Sequence, residues 1–505
     1  MNHFKYSTYP LFRLINVSLR NHYVLGDVDF IFNDDNSFEK AVKPYSTVII
    51  GVNGIGKSFL LGAVLDIFEY LRQLIDCDLT PVSLGYQFRI SYHLDGNLFS
   101  ASTIDQGEVL IPRSKKVIDR IKCEINSKSS AVTSIVLPSR TIASTMTVTD
   151  KFSSKSTAHY KYHGIRDPRT PGIARTKALV RNTVGEIVRC LSEKEGYRDE
   201  LRELLSFLDL EDEIVIKYGI RHKKQFITNK MTSEHLMDLF VNYESYFNRK
   251  SELWGTDYFK KYVLNNSALL GEIVDFLKHA SQRIEEGFLS YSTRDDALSA
   301  DARMIDALSK LDILTFPQIN VRKKSQFYSF DYSSSGELQV LCQMIGILSD
   351  IQNSSLIVID EPETSTHPSW QINYLRWLNC IFKNYSSCHF VIATHSHLLL
   401  SDLKPESSCI IPLKRDNENR LISIQGVNTY CWSSDDILYR VFKVNNTRNY
   451  VFEAEFMELY QLISNRDSNH NRVKELYNNL CSYELNDDDP IANFLRKVKK
   501  YVETL

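Results

Sequence analysis

No excess of basic side chains marks this 505-residue chain: 60 Lys and Arg stand against 62 Asp and Glu, for a formal net charge of -2. A strongly basic nucleic-acid footprint is therefore missing, so any such contact has to come from local patches or from a partner. Paired cysteines are lacking as well. The 9 cysteines are odd in number and scattered singly from Cys77 to Cys481, with no CxxC pair, which points to neither a disulfide framework nor a structural zinc site. No apolar run approaches the roughly 18 residues of a membrane span, and the opening MNHFKYSTYPLFRL holds no apolar core of signal-peptide length. A reducing cytoplasm, with no membrane contact of the chain's own, is the expected location.

The opening stretch, FRLINVSLRNHYVLGDVDFIF, alternates apolar and polar residues in two phases and predicts a pair of antiparallel strands. A polar loop follows, and then the short apolar strand TVII runs directly into GVNGIGKS, Gly51 to Ser58. Behind it Leu60, Val64, Ile67 and Leu71 share one helical face. Strand, glycine loop and amphipathic helix together supply the context a P-loop requires. Gly51, Gly54 and Gly56, with Asn53 between them, let backbone N–H groups surround phosphate oxygens. Lys57 is placed to bridge the terminal phosphates and Ser58 to hold Mg²⁺ at the helix start. From about residue 80 to 150 strand-like alternation returns, and Gln87 and Gln106 there lack any setting that links them to a nucleotide.

Residues 166–315 are charged and helical in period, and predict an inserted helical subdomain without a sustained heptad pattern. The basic clusters Arg221 to Lys224 and Arg322 to Lys324 sit among acids, as solvated faces usually do. Residues 406–505 read as a mainly helical tail. Within it Asp487 to Asp489 precede a proline and a helical pattern, which suits an acidic helix start better than a metal site. Ser468 to Asn471, a fragment of a nuclease-like pattern without its companion histidines, reads as a polar loop.

The densest chemistry lies between Ser333 and His397. SSSGE opens a helix whose N–H groups and serine hydroxyls could face a phosphate, although the same residues also make an ordinary N-cap with a capping glutamate. LIVID is a wholly apolar strand ending in Asp360 and Glu361, and FVIAT is another ending in His395. Carboxylates at the C-terminal end of a buried parallel strand lie where open α/β sheets place ligands. The expected roles are Asp360 as Mg²⁺ partner at the end of the strand adjoining the P-loop strand, Glu361 to orient and deprotonate water, and His395 near the γ-phosphate.

GVNGIGKS, SSSGE, LIVIDEPE, the THP segment and His395 together resemble the ABC-type ATPases. The resemblance implies an α/β fold: an ABC-type P-loop ATPase head, a mixed sheet with flanking helices, interrupted by the helical insert. Residues 1–165 and 316–405 would form the two parts of that head. It also implies ATP and Mg²⁺ as ligands and a head-to-tail homodimer or higher homo-oligomer. There Ser334, Ser335, Gly336 and Glu337 of one subunit complete the site of another, with His367 and Pro368 at the seam. Ser333 departs from the leucine common in that family.

DEPETSTHP and ATHSH are similar to the soluble branch that holds the OLD and RecF-like proteins. IASTMTVTDKF followed by YKYHGIRD is similar to a stretch of PtuA-type ATPases from Septu and retron anti-phage systems. That resemblance implies control of a separate HNH endonuclease like PtuB and, in retron versions, a reverse transcriptase with its msDNA, the DNA–RNA product. The alternatives are an OLD-like ATP-dependent nuclease, which lacks a recognisable Toprim pattern here, and a RecF-like ATP-dependent DNA-binding repair protein.

Overall fold

The computed structural model describes the chain apart from residues 1–10, 34–42, 77–82, 105–119, 168–169, 243–253, 330–334, 425–428, 430–431, 443–448, 466–468 and 486–488, and the single positions 175, 229, 281, 286, 316, 419, 484 and 505. It divides into two compact units, Met1–Ile437 and Leu438–Leu505.

In the first unit β1 (Phe12–His22) and β2 (Gly26–Ile31) form the antiparallel pair that two-phase alternation predicts. Strand β3 (Tyr45–Ile50), buried at every position, feeds the glycine loop and the helix Lys57–Asp76. β4 (Gln87–Leu94), β5 (Asn97–Thr103), β6 (Ile121–Ile125) and β7 (Lys128–Ser130) extend the first pair into a six-stranded antiparallel sheet. Helix Lys57–Asp76 fills the space beside it. Phe12, Phe68 and Tyr92 meet with ring centroids 5.5–6.0 Å apart, and Phe68 and Leu71 belong to the same core as Val358 and Val391 of the other sheet.

β8 (Thr141–Thr145) and β9 (Tyr160–Gly164) belong to that other sheet, and a small hairpin of β10 (Arg166–Asp167) and β11 (Thr170–Ala174) follows. Next come β12 (Ile214–Gly219), β13 (Ile284–Glu285), β14 (Phe288–Ser292), β15 (Gln318–Lys323) and β16 (Gln326–Ser329), which form an antiparallel sheet in the order β13-β14-β12-β15-β16. Residues 166–315, expected to form a helical subdomain, thus also carry paired strands. Ile214, Ile216 and Tyr218 alternate inward on β12, a period-two signal only six residues long, while the longer helices Thr176–Glu193 and Ser267–Ala280 dominate the region's periodicity.

β17 (Leu356–Asp360), β18 (His389–Thr394), β19 (Ser408–Arg415) and β20 (Leu421–Ser423) complete a seven-stranded sheet in the order β20-β19-β3-β18-β17-β8-β9. Every pairing in it is parallel except β19 with β20. The fold is therefore a mixed α/β sheet with flanking helices. Two placements differ from expectation. Ser408–Arg415 and Leu421–Ser423 lie in this sheet and not in a helical tail, because Ile410, Ile411 and Leu413 pack beside β3. And β18, not β17, adjoins the P-loop strand. No helix among the described residues is long and apolar enough to cross a membrane.

The second unit holds helices Tyr450–Ser464, His470–Ser482 and Pro490–Thr504 around Leu459, Val473, Leu476, Leu480, Leu495 and Val502. Asn469 caps the second helix by accepting the Arg472 N–H at 3.3 Å, and Asp489 accepts the Ile491 N–H at 2.8 Å where the third begins. Ser468, Asp487 and Asp488 lie outside the described residues.

Candidate active site

Four parallel strands, β3, β18, β17 and β8, end at one edge of the sheet. The register sets Thr394 beside Ile50 and Asp360 beside both Ala393 and Thr145. All four strands are buried throughout, so their C-terminal ends are fixed by packing on both faces before any polar group is considered.

The loop Gly51–Gly56 leaves β3 with Gly54 at φ +75° and Gly56 at φ +118°, conformations that disfavour side chains. A Cβ on Gly56 would also lie 2.6 Å from the Leu25 Cδ2 methyl at the tip of the β1–β2 pair, so that side chain would have to shift. Val52, Asn53 and Gly54 are exposed, while Lys57 is buried. Its ammonium donates to Gly51 O at 2.8 Å and Val52 O at 3.4 Å, which folds the side chain back over the loop. Burial lowers the Lys57 pKa, and Glu361, Asp360 and Glu363 oppose that shift, so the cation and the three carboxylates share one electrostatic site.

Asp360 is 1% exposed, and burial raises its pKa to about 7 against the Ser58 hydrogen bond that lowers it. Its Oδ1 is buried without a hydrogen-bond partner. An orphaned carboxylate oxygen beside a serine hydroxyl is a hard-oxygen donor set, and it fits Mg²⁺, which takes one or two protein oxygens and fills its shell with water and phosphate. No cluster of three or more His, Cys, Asp or Glu among the described residues could hold a metal by itself.

Glu361 sits at φ +49°, a left-handed conformation rare for a residue with a side chain. Its N–H donates to Ala393 O at 2.9 Å, which pins the turn to β18. His395 Nδ1 lies 3.7 Å from Glu361 Oε1 and 3.2 Å from Glu363 Oε1. Glu363 was not singled out from the sequence, where it is one acid among several in DEPETSTHP. Only folding reveals it as a side chain just 5% exposed.

The signature residues divide. Ser334 lies outside the described residues, and Ser335 is described only as the first residue of helix Ser335–Asp350. Gly336 is buried, and a Cβ there would come within 2.3 Å of Ser365 O. That glycine is therefore required by a close backbone approach within the same chain, to the turn after Glu361, whatever it meets in a second copy. Glu337 lies in the first turn of that helix. His367 caps helix Pro368–Ile381, its exposed Nδ1 accepting the Ser369 N–H at 3.2 Å.

Gln87 is a ladder residue of β4 opposite Arg20, and Gln106 falls outside the described residues. In the stretch from IASTMTVTDKF to YKYHGIRD, Asp150 accepts from Arg166 Nε at 2.8 Å and Nη2 at 2.5 Å and from the Tyr162 hydroxyl at 3.0 Å. These two sequence pieces are thus stapled by a buried carboxylate. Part of each basic cluster is balanced: Arg221 faces Asp312 at 3.4 Å, Lys323 faces Asp209 at 3.6 Å, and Arg322 lies over the Phe327 ring near Glu211 and Glu213.

A family model described as "AAA domain, putative AbiEii toxin, Type IV TA system" matches residues 210–401, less than half the chain. The match spans the signature helix, Asp360, Glu361 and His395 but not the P-loop. Among solved structures, the chain is similar to the SMC head domain from Thermotoga maritima at 10% identity, covering 82% of this chain and 99% of that chain with a TM-score of 0.35. It is similar also to an Smc head domain derived from Pyrococcus furiosus, with an extended coiled coil and bound to the C-terminal domain of ScpA, at 11% identity, covering 82% and 97% with a TM-score of 0.32. At such scores neither likeness carries a functional conclusion.

Proposed function

We propose that the chain is an ATP-binding and ATP-hydrolysing ABC-type ATPase subunit that controls a partner nuclease in an anti-phage defence complex of the PtuA kind. The observation that carries the ATPase reading is the convergence of Lys57, Ser58, Asp360, Glu361 and His395 on one sheet edge, with Lys57 and three carboxylates electrostatically linked. Backbone N–H groups of the loop 51–56 and the start of helix Lys57–Asp76 receive the phosphates, and Lys57 swings from its carbonyl partners onto them. Ser58 and Asp360 would hold Mg²⁺, which would supply charge neutralisation to the phosphates. Glu361, a quarter exposed and next to His395, orients the attacking water and takes its proton.

The defence role draws support from the resemblance of the TDKF and GIRD stretch to PtuA-type ATPases, and the family described as a toxin of a toxin–antitoxin system points the same way. On this reading the partners are a second copy of the chain and an HNH endonuclease. In a retron setting a reverse transcriptase with its msDNA joins them. The location is the cytoplasm.

The test is co-purification of the chain, expressed with its neighbouring genes, with ATP and with Glu361→Gln. The expected result is a nucleotide-bound oligomer that brings down an HNH protein. A chain that comes down alone, and cuts or clamps DNA unaided, replaces this reading with an OLD-like nuclease or a RecF-like clamp.

A further inference from the structure

Glu363 is used by none of the steps above, yet it is the most tightly engaged carboxylate of the site. Its Oε1 accepts the Thr394 hydroxyl at 2.6 Å, the His395 N–H at 2.7 Å and the Ser396 N–H at 3.2 Å, and His395 Nδ1 stands 3.2 Å from the same oxygen. Its Oε2 is buried without a hydrogen-bond partner. A carboxylate withdrawn from water and gathering this many donors is justified only if the groups it holds must be fixed, because a buried charge with an idle oxygen is costly for folding alone.

The groups it holds are the end of β18 and the ring of His395. An acceptor-only carboxylate 3.2 Å away favours the tautomer that carries its proton on Nδ1, which leaves Nε2 as the ring's bare nitrogen. A second bridge runs in parallel. Gln371 accepts the Ser396 hydroxyl at 2.7 Å and donates to Thr366 O at 3.0 Å. Thr366 follows Ser365, the residue whose carbonyl has no room for a side chain on Gly336. The turn 363–366 therefore touches the signature helix on one side and holds His395 on the other.

We propose that Glu363 is a positioning residue that fixes the orientation and the Nδ1–H form of His395, so that the placement of His395 follows the turn 363–366 and, through it, the start of the signature helix. The inference rests on the ATPase reading for its kinetic consequence but not for its structural one.

The experiment has two arms on the full-length chain. In the first, ¹⁵N-histidine NMR of the wild-type protein, with His395 assigned by its loss in His395→Asn, reads which ring nitrogen is protonated. Protonation of Nδ1 is expected, and its loss in Glu363→Leu, which has no acceptor oxygen; an Nε2–H neutral ring in the wild type overturns the proposal whether or not the chain hydrolyses ATP. In the second, kcat and KM for ATP are measured for wild type, Glu363→Gln, His395→Ala and the double variant. Glu363→Gln keeps size and acceptor oxygen, and is expected to lower kcat about 10- to 100-fold at little-changed KM, as misplacement of a reacting group does. The double variant should be no slower than His395→Ala. Multiplying losses in the double variant, or wild-type kcat in Glu363→Gln, overturn the proposal. A wild type that neither binds nor hydrolyses ATP overturns the ATPase reading instead, and leaves the NMR arm to decide the role of Glu363.

Discussion

The seven-stranded sheet and the five-stranded sheet that the insert shares with β15 and β16 are built from opposite patterns. β3, β8, β17 and β18 are buried at every residue, while β12 alternates buried and half-buried positions along Ile214–Gly219. A strand packed on both faces has no freedom of register, so the residue that leaves its end is placed to a fraction of an ångström. Asp360, His395 and the P-loop all leave such ends. An antiparallel strand with one wetter face tolerates more, and the polar side chains around β12, such as Arg294 with Glu213 at 3.5 Å, form ion pairs among themselves. The first sheet is suited to chemistry and the second to scaffolding.

The sharpest break of this comparison is at the turn after β17. Glu361→Gln should lower kcat by about 10²–10⁴ with ATP affinity retained, measured by phosphate release beside nucleotide binding. Substitution of the paired insert residue Arg294 by Gln should leave both within about twofold.

Next in size are matched core truncations. Ile359→Ala in β17 and Ile216→Ala in β12 both remove fully buried side chains and should each cost about 2–5 kcal/mol in chemical denaturation. Only Ile359→Ala should also depress ATP hydrolysis beyond what its stability loss explains. Equal kinetic losses would dissolve the distinction between the two sheets.

Asp360→Asn is expected to separate stability from function within the first sheet. Burial raises the folded Asp360 pKa to about 7, so the native state holds its proton where the unfolded chain has lost it. The penalty of the charged form is absent below about pH 4, grows as pH rises, and levels off above about pH 7. Without Mg²⁺ or nucleotide at pH 8, Asp360→Asn should therefore be more stable by on the order of 1–3 kcal/mol while losing hydrolysis, and the gain should vanish near pH 4.

The smallest effect concerns His389 at the start of β18. Its Nδ1 accepts the Leu14 N–H at 3.0 Å and its Nε2 lies 2.8 Å from Thr47 Oγ1, and burial drives its pKa well below the ordinary value. The unfolded chain binds a proton that the native state refuses, so stability falls as pH drops below about 6.5, by up to about 1.4 kcal/mol per pH unit. His389→Gln should flatten the slope of Tm against pH between about 5 and 6.5, and an unchanged slope would place the acid sensitivity elsewhere.

The sequence by itself determined the strand, glycine loop and helix of the P-loop, the apolar runs LIVID and FVIAT, and the residues that end them, because a strand buried on both faces needs an unbroken β-branched or aliphatic run. The short alternating strand β12 was hidden, since six residues of period two are outweighed by neighbouring helical periodicity, and β19, a short apolar run broken by Pro412, passes for a loop. Tertiary structure alone decided that β18 separates β17 from β3, that Gly336 must lie against Ser365 O, and that Glu363, not the residues around it, grips His395. Each depends on which segments meet across tens to hundreds of residues, and that is settled by packing of the whole core and not by any local pattern.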